Sequence, residues 1–106
     1  MLVTAFYYLD PNNAADFLDG EEQLMLAQWS DIAARGGSAF QKARRLEPEI
    51  GTRCIWSEAN YFDAANLATN DQQIFLQCGN LVFEVAMFNM HLTDSEIISL
   101  LKLLAS

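Results

Sequence analysis

Leu81-Val82-Phe83-Glu84-Val85-Ala86-Met87-Phe88-Asn89-Met90, His91-Leu92-Thr93-Asp94-Ser95-Glu96 and Ile97-Ile98-Ser99-Leu100-Leu101-Lys102-Leu103-Leu104-Ala105-Ser106 close the chain, and these twenty-six residues decide its fold. The first run is apolar at nearly every position, as in a strand buried on both faces. The second run turns an elbow and opens a helix. Thr93 is the expected N-cap, and Glu96 three residues on completes a capping box. Leu92 and Ile97 form the hydrophobic staple around it, and Asp94 complements the helix dipole. Ile97, Leu100, Leu101 and Leu104 make one stripe, which Ile98 and Leu103 widen. A helix this apolar is either well buried or covered by a partner.

Upstream, Gln73-Ile74-Phe75-Leu76-Gln77-Cys78 and Leu81 to Phe88 flank Gly79-Asn80. A Gly-Asn pair between two apolar runs predicts a hairpin with a type I′ or II′ turn. Residues 1 to 9 predict another strand, rich in β-branched and aromatic residues and stopped by Asp10-Pro11-Asn12-Asn13. Both its faces are apolar, which predicts a central strand or one covered on both sides. Residues 14 to 35 are ambiguous. Leu26, Trp29, Ile32 and Ala33 follow helical spacing, but Gly20 interrupts the pattern, and a short strand at Leu24 to Ser30 is the alternative. Ser38 to Glu49 is polar and basic and reads as a loop with at most one helical turn. Thr52 to Ser57 is a short strand, and Asn60 to Asp71 reads as connecting structure.

Phe83 to Asn89 followed by Leu92-Thr93-Asp94-Ser95-Glu96-Ile97 resembles the closing strand and helix of concanavalin A-like, laminin-G-type β-sandwich modules. Those modules end with a strand carrying an acid, an aromatic-Asn pair and a "Leu-Thr/Ser-Asp-x-Glu" helix start. Tyr8-Leu9-Asp10-Pro11 and Gln28-Trp29-Ser30-Asp31 resemble the family's opening strand and its later "Trp-x-Asp", with Gly36-Gly37 and Gln41 where a Gly-rich loop would follow. The resemblance implies that the first and last long strands are neighbours. The family's modules are longer, so it also implies a trimmed sandwich or jelly roll whose edges need a partner.

The length of 106 residues is that of one domain, 1–106, with a core of ordinary size. A net charge of −8 argues against a nucleic-acid partner. No apolar run is long enough to span a membrane, and Met1 to Ala5 lacks the features of a signal peptide. A virion or cytoplasmic location is therefore expected. Cys54 and Cys78 are too few for a disulfide scaffold and are expected as buried free thiols. Charge is polarised along the chain. Asp10, Asp16, Asp19, Glu21, Glu22 and Asp31 precede the first base, and Arg35, Lys42, Arg44, Arg45 and Arg53 follow. Such a chain could pair head to tail with its copies, although two solvated loops of opposite sign need no function.

No catalytic set emerges. His91 is the lone histidine, without partners set by order or spacing. Asp10, Asn12, Asn13, Asp16 and Asp19 are oxygen-rich enough for calcium, but Ala15 stands where an EF-hand needs Gly, and an Asx turn accounts for them. Glu84 within an apolar strand is expected to be hydrogen-bonded or exposed at an edge, since one acid alone does not make a glycosidase. Trp29, Trp56, Tyr61 and Phe62 could stack on a carbohydrate, but aromatics in a small domain are ordinarily core.

The expected fold is mainly β, a small β-sandwich or jelly-roll-like domain with a C-terminal α-helix; the alternative is α+β with a helix at 14–35. The expected role is a non-enzymatic structural or adhesion module acting within an assembly, such as a phage virion decoration or appendage protein. The alternative is a small acidic inhibitor or immunity-type protein that binds a basic partner surface. The partner is expected to be protein, in a homo-oligomer or larger assembly, with no cofactor and no metal. Ile98, Leu101, Leu103, Arg44, Arg45, Asp16, Asp19, Glu21 and Glu22 are the candidate interaction residues.

Overall fold

A computed structural model describes residues 1–34, 44–45, 50–62, 64–89 and 92–106, without the side chains of 29, 32–34, 44–45 and 59–62. The elements run β1 (Leu2–Tyr7), α1 (Pro11–Ala34), β2 (Arg44–Arg45), β3 (Arg53–Phe62), β4 (Ala68–Cys78), β5 (Leu81–Phe88) and α2 (Asp94–Ala105). The strands form one antiparallel sheet in the order β1-β5-β4-β3-β2.

The local signals act where physical chemistry predicts. Cys78 pairs with Leu81 across Gly79-Asn80, and Gly79 takes φ +60. Asn80 keeps a negative φ, so positive φ is confined to the first turn residue, the pattern of a type II′ turn. Helix α1 opens on Asp10, whose Oδ1 accepts from the Asn12 N–H at 2.8 Å, with Pro11 at the first helical position. The capping box of α2 is complete: the Glu96 N–H donates to Thr93 Oγ1, and the Thr93 N–H donates to Glu96 Oε1.

Directly opposed residues in an antiparallel sheet share a face, so the registers assign every strand residue to a side. Arg53, Gln77, Val82 and Phe6 lie in one row, and Ile55, Phe75, Glu84 and Thr4 in the next, all facing α1. There Ala14, Leu18 and Met25 pack on Ile55, Phe75 and Val82, with Phe6, Tyr8 and Phe17 alongside. The opposite face carries Cys54, Trp56, Ile74, Leu76, Val85 and Met87, closed by Ile97 and Leu101 of α2. A single sheet thus lies between two helices.

The α+β alternative is the architecture adopted, and a β-sandwich is not shown. A sandwich stacks two sheets face to face. Here the described strands make one sheet, and a helix covers each face. The ambiguous segment 14–35 belongs to a helix of 24 residues, Gly20 included, because Ala14, Leu18 and Met25 bury against the sheet and outweigh one glycine. Strand β1 is an edge rather than a central strand. Asn60 to Asp71 is mostly strand, the ends of β3 and β4 paired from Asn60↔Asn70 to Phe62↔Ala68. Of the expected loop at 38–49, only β2 lies within the described residues.

Two glycines make opposite predictions. Gly51 has φ +66, and a Cβ there would sit 2.6 Å from the Gln77 carbonyl oxygen, which also accepts from the Thr52 N–H. Gly51→Ala is expected to cost about 1–3 kcal/mol. Gly20 lies mid-helix with no neighbour within 4 Å of an added Cβ, so Gly20→Ala is expected to stabilise by roughly 0.5–1 kcal/mol. Urea denaturation of both variants checks the two signs.

Candidate interaction surface

Strand β1 joins the sheet through β5, and no described strand pairs with its outer edge. Its side chains are open on both faces. Tyr7 is 72% exposed, Leu2 62% and Val3 41%. Ala5 is exposed too, while Thr4 and Phe6 are half-buried. From Leu2 to Tyr7 there is no charge, no proline and no glycine. These are the devices by which sheet edges ordinarily discourage further pairing. Met1, Leu9 and Phe88 add exposed apolar surface at the ends of β1 and β5.

The acids of α1 are largely engaged within the fold. Arg53 on β3 donates through one guanidinium nitrogen to Asp19 at 2.5 Å and through the other to Glu22 at 2.7 Å. Burial opposes its charge, but the hydrogen bonds and charges of the two acids outweigh that and raise its pKa. Among the described residues its buried Nε has no hydrogen-bond partner. Glu21 is half-buried against the sheet. Burial, and next the charge of Glu84, raise its pKa. Glu84 in turn accepts from Gln73 Nε2 at 3.0 Å, a hydrogen bond of the kind expected for it. Asp16 is exposed on the first half of the helix. Asp10 is committed to the α1 cap as an Asx turn.

On α2 the three candidate residues separate. Leu101 is fully buried and has no surface to offer a partner, Ile98 is half-buried against the core, and Leu103 is 71% exposed. Arg44 and Arg45 form β2 at the opposite sheet edge from β1, and their side chains lie outside the described residues, as do those of Trp29, Tyr61 and Phe62. His91 lies outside them as well. Trp56 is core, its Nε1 donating to Gln72 Oε1 at 2.9 Å. Cys54 and Cys78 are not joined in a disulfide, the first buried and the second half-buried, and burial pushes the Cys78 pKa up. Among the described residues no group of three or more His, Cys, Asp or Glu is placed to hold a metal ion, and no helix is long and apolar enough to cross a membrane.

Of the candidates whose side chains are described, Asp16, Asp19, Glu21 and Glu22 lie on α1 and Ile98, Leu101 and Leu103 on α2, across the sheet from one another, and the β1 edge was not among the candidates. An uncharged apolar strand has the same composition whether it lies inside a sheet or at its margin. The one usable signal was the absence of charge from Leu2 to Tyr7 in a chain of net charge −8. No known protein family, no curated protein and no solved structure matches the chain.

The Glu21 environment sets a pH dependence. Its folded pKa stands above its unfolded value, so the folded state holds the proton over a window that opens at the ordinary carboxylate value and extends upward. Stability from this group therefore falls as pH rises through that window. Glu21→Gln is expected to raise the urea midpoint at pH 7 and to change it little below about pH 4, where the native acid is already protonated. Equal gains at both pH values would refute the assignment.

Proposed function

We propose that this chain is a non-enzymatic protein-interaction module that works within an assembly, with the β1 edge as its contact surface. The observation that carries the proposal is the strand Leu2–Tyr7: uncharged, with Val3, Ala5 and Tyr7 exposed on the α2 face and Leu2 on the other, at a sheet margin that no described strand pairs with. Such an edge adds a further strand from another chain through main-chain hydrogen bonds. Exposed Leu103 on α2 supplies a separate apolar contact.

An acidic inhibitor is the second reading, and the engagement of its acids argues against it. Asp19 and Glu22 are held by Arg53, Glu21 is turned to the sheet and Asp10 caps the helix. A binding face built on this run would compete with the fold for its own charges. A phage virion setting rests on the concanavalin-type resemblance alone. In its favour stand the β1–β5 pairing and the capped last helix. Against it stands α1, which occupies the face where a second sheet would stack.

Size exclusion with light scattering, run over a concentration series at two salt concentrations, tests the proposal. The expected mass is at least twice 11.9 kDa and does not fall at the higher salt, because the contact strand has no charge to screen and salt weakens only the repulsion between acidic copies. A mass of 11.9 kDa at every concentration up to roughly 100 µM, weaker than any working self-association, together with salt-dependent capture of a basic protein, would favour the inhibitor.

A further inference from the structure

The backbone of β1 fixes which of its groups face outward. In an antiparallel ladder, alternate residues turn both the N–H and the C=O to one neighbour, then both to the other. The Tyr8 N–H donates to the Asn80 carbonyl, on the β5 side, at 2.8 Å. Phe6, Thr4 and Leu2 share that direction, opposite Val82, Glu84 and Ala86. The hairpin agrees: Cys78 and Leu81 close its turn toward each other, so Val82 faces β1. Val3, Ala5 and Tyr7 therefore present their N–H and C=O groups to the open edge.

We infer that this edge takes a second copy of the same chain, strand β1 against strand β1, antiparallel about a two-fold axis through Ala5. The inference rests on the assembly role proposed above and names its partner and register. A two-fold axis normal to the sheet is the operation that lays identical antiparallel strands side by side. It keeps each face on its own side, so opposed residues must share a face. The register centred on Ala5 uses all the outward groups. Val3 exchanges hydrogen bonds with Tyr7 of the second copy, Ala5 with Ala5 of the second copy, and Tyr7 with Val3 of the second copy. The smallest side chain of the strand falls on the axis, where identical residues meet. Val3 against Tyr7 of the second copy is a β-branched to aromatic pair on the α2 face, and Thr4 lies against Phe6 of the second copy on the α1 face.

Charge favours a second copy at this place. Two chains of net charge −8 repel one another. Between Met1 and Leu9 no side chain carries charge, so the β1 edge is a strip along which acidic copies can meet without opposing like charges. The opposite edge, β2, carries Arg44 and Arg45 and has no such neutrality. Pairing β1 on β1 closes at two copies, whereas β1 on β2 would continue into an open array. The closed pair would join two five-stranded sheets into one.

Ala5→Cys places two thiols across the axis. Opposed Cα atoms at a hydrogen-bonded antiparallel pair are about 5.5 Å apart, within disulfide reach. Mild oxidation is expected to give a near-quantitative disulfide dimer, while the unsubstituted chain and Leu24→Cys, at an exposed position of α1, do not. A second test uses paired charges at the exposed positions. The double variants Val3→Glu/Tyr7→Glu and Val3→Lys/Tyr7→Lys should each be monomeric with unchanged circular dichroism, and their mixture should recover the dimer. If the chain is oligomeric but the Ala5→Cys variant does not cross-link and the charge variants keep the parent mass, the β1 pairing is wrong while the assembly role stands. A mass that grows with concentration without a plateau at two copies would overturn the two-fold closure. A monomeric parent chain would overturn both the pairing and the assembly role.

Discussion

The two-sided burial of the central strand governs this fold. In β4 the run Ile74-Phe75-Leu76 is buried at every position, with Ile74 and Leu76 on one face and Phe75 on the other. No amphipathic strand makes that demand, because one face of such a strand can remain in water. A sheet built around this run needs a cover on each side. The chain provides α1 for the Phe75 face and α2 for the other. Each cover brings a few large apolar residues, Leu18 and Met25 from α1 and Ile97 and Leu101 from α2. Fully burying each is worth about 1.5–3 kcal/mol. The weak periodicity of α1 matters little once the sheet beneath it demands a lid.

What was legible in the sequence is what short-range chemistry fixes. Gly79-Asn80 between apolar runs gave the hairpin, and Thr93 with Glu96 gave the helix start, because turn conformation and capping are decided within a few residues. The rest depended on distant partners. Whether 14–35 became helix or strand rested on Phe75, Ile55 and Val82, far along the chain. Asn60 to Asp71 looked like a connection because Asn and Asp disfavour strands. One of its polar side chains instead hydrogen-bonds across the pairing, Asn70 Nδ2 donating to Glu58 Oε1 at 2.8 Å. The place of β1 at the margin left only one local trace, the absence of charge from Leu2 to Tyr7. The nine residues marked for interaction came from exposed-looking charge and helix stripes, and burial withdrew Leu101 while Arg53 engaged Asp19 and Glu22.

The interface of α1 with the sheet is more polar than that of α2. Arg53, Gln77, Gln73 and Glu84 all rise from the sheet beneath α1, and the helix answers with Asp19, Glu22 and Glu21. Gln77 is almost fully buried and satisfies its amide on the carbonyls of Pro11 and Gly79. Buried polar groups of this kind add little net stability, and each is costly to leave unmatched. They specify one position for α1, where an all-apolar seam would tolerate sliding. The α2 seam, built from Ile97 and Leu101 on Trp56, Ile74, Leu76, Val85 and Met87, relies on shape alone.

The order of the strands also governs how the molecule is assembled in time. β3, β4 and β5 form a meander in which each strand pairs with its neighbour in sequence. β1 ends at Tyr7, yet its partner β5 begins only at Leu81. Closing so long a loop costs entropy before any ladder bond returns it. During synthesis Leu2 to Tyr7 must therefore wait unpaired until Leu81 to Phe88 have been made. The amides of Leu2, Thr4 and Phe6, which face β5, therefore gain their partners only once β5 exists.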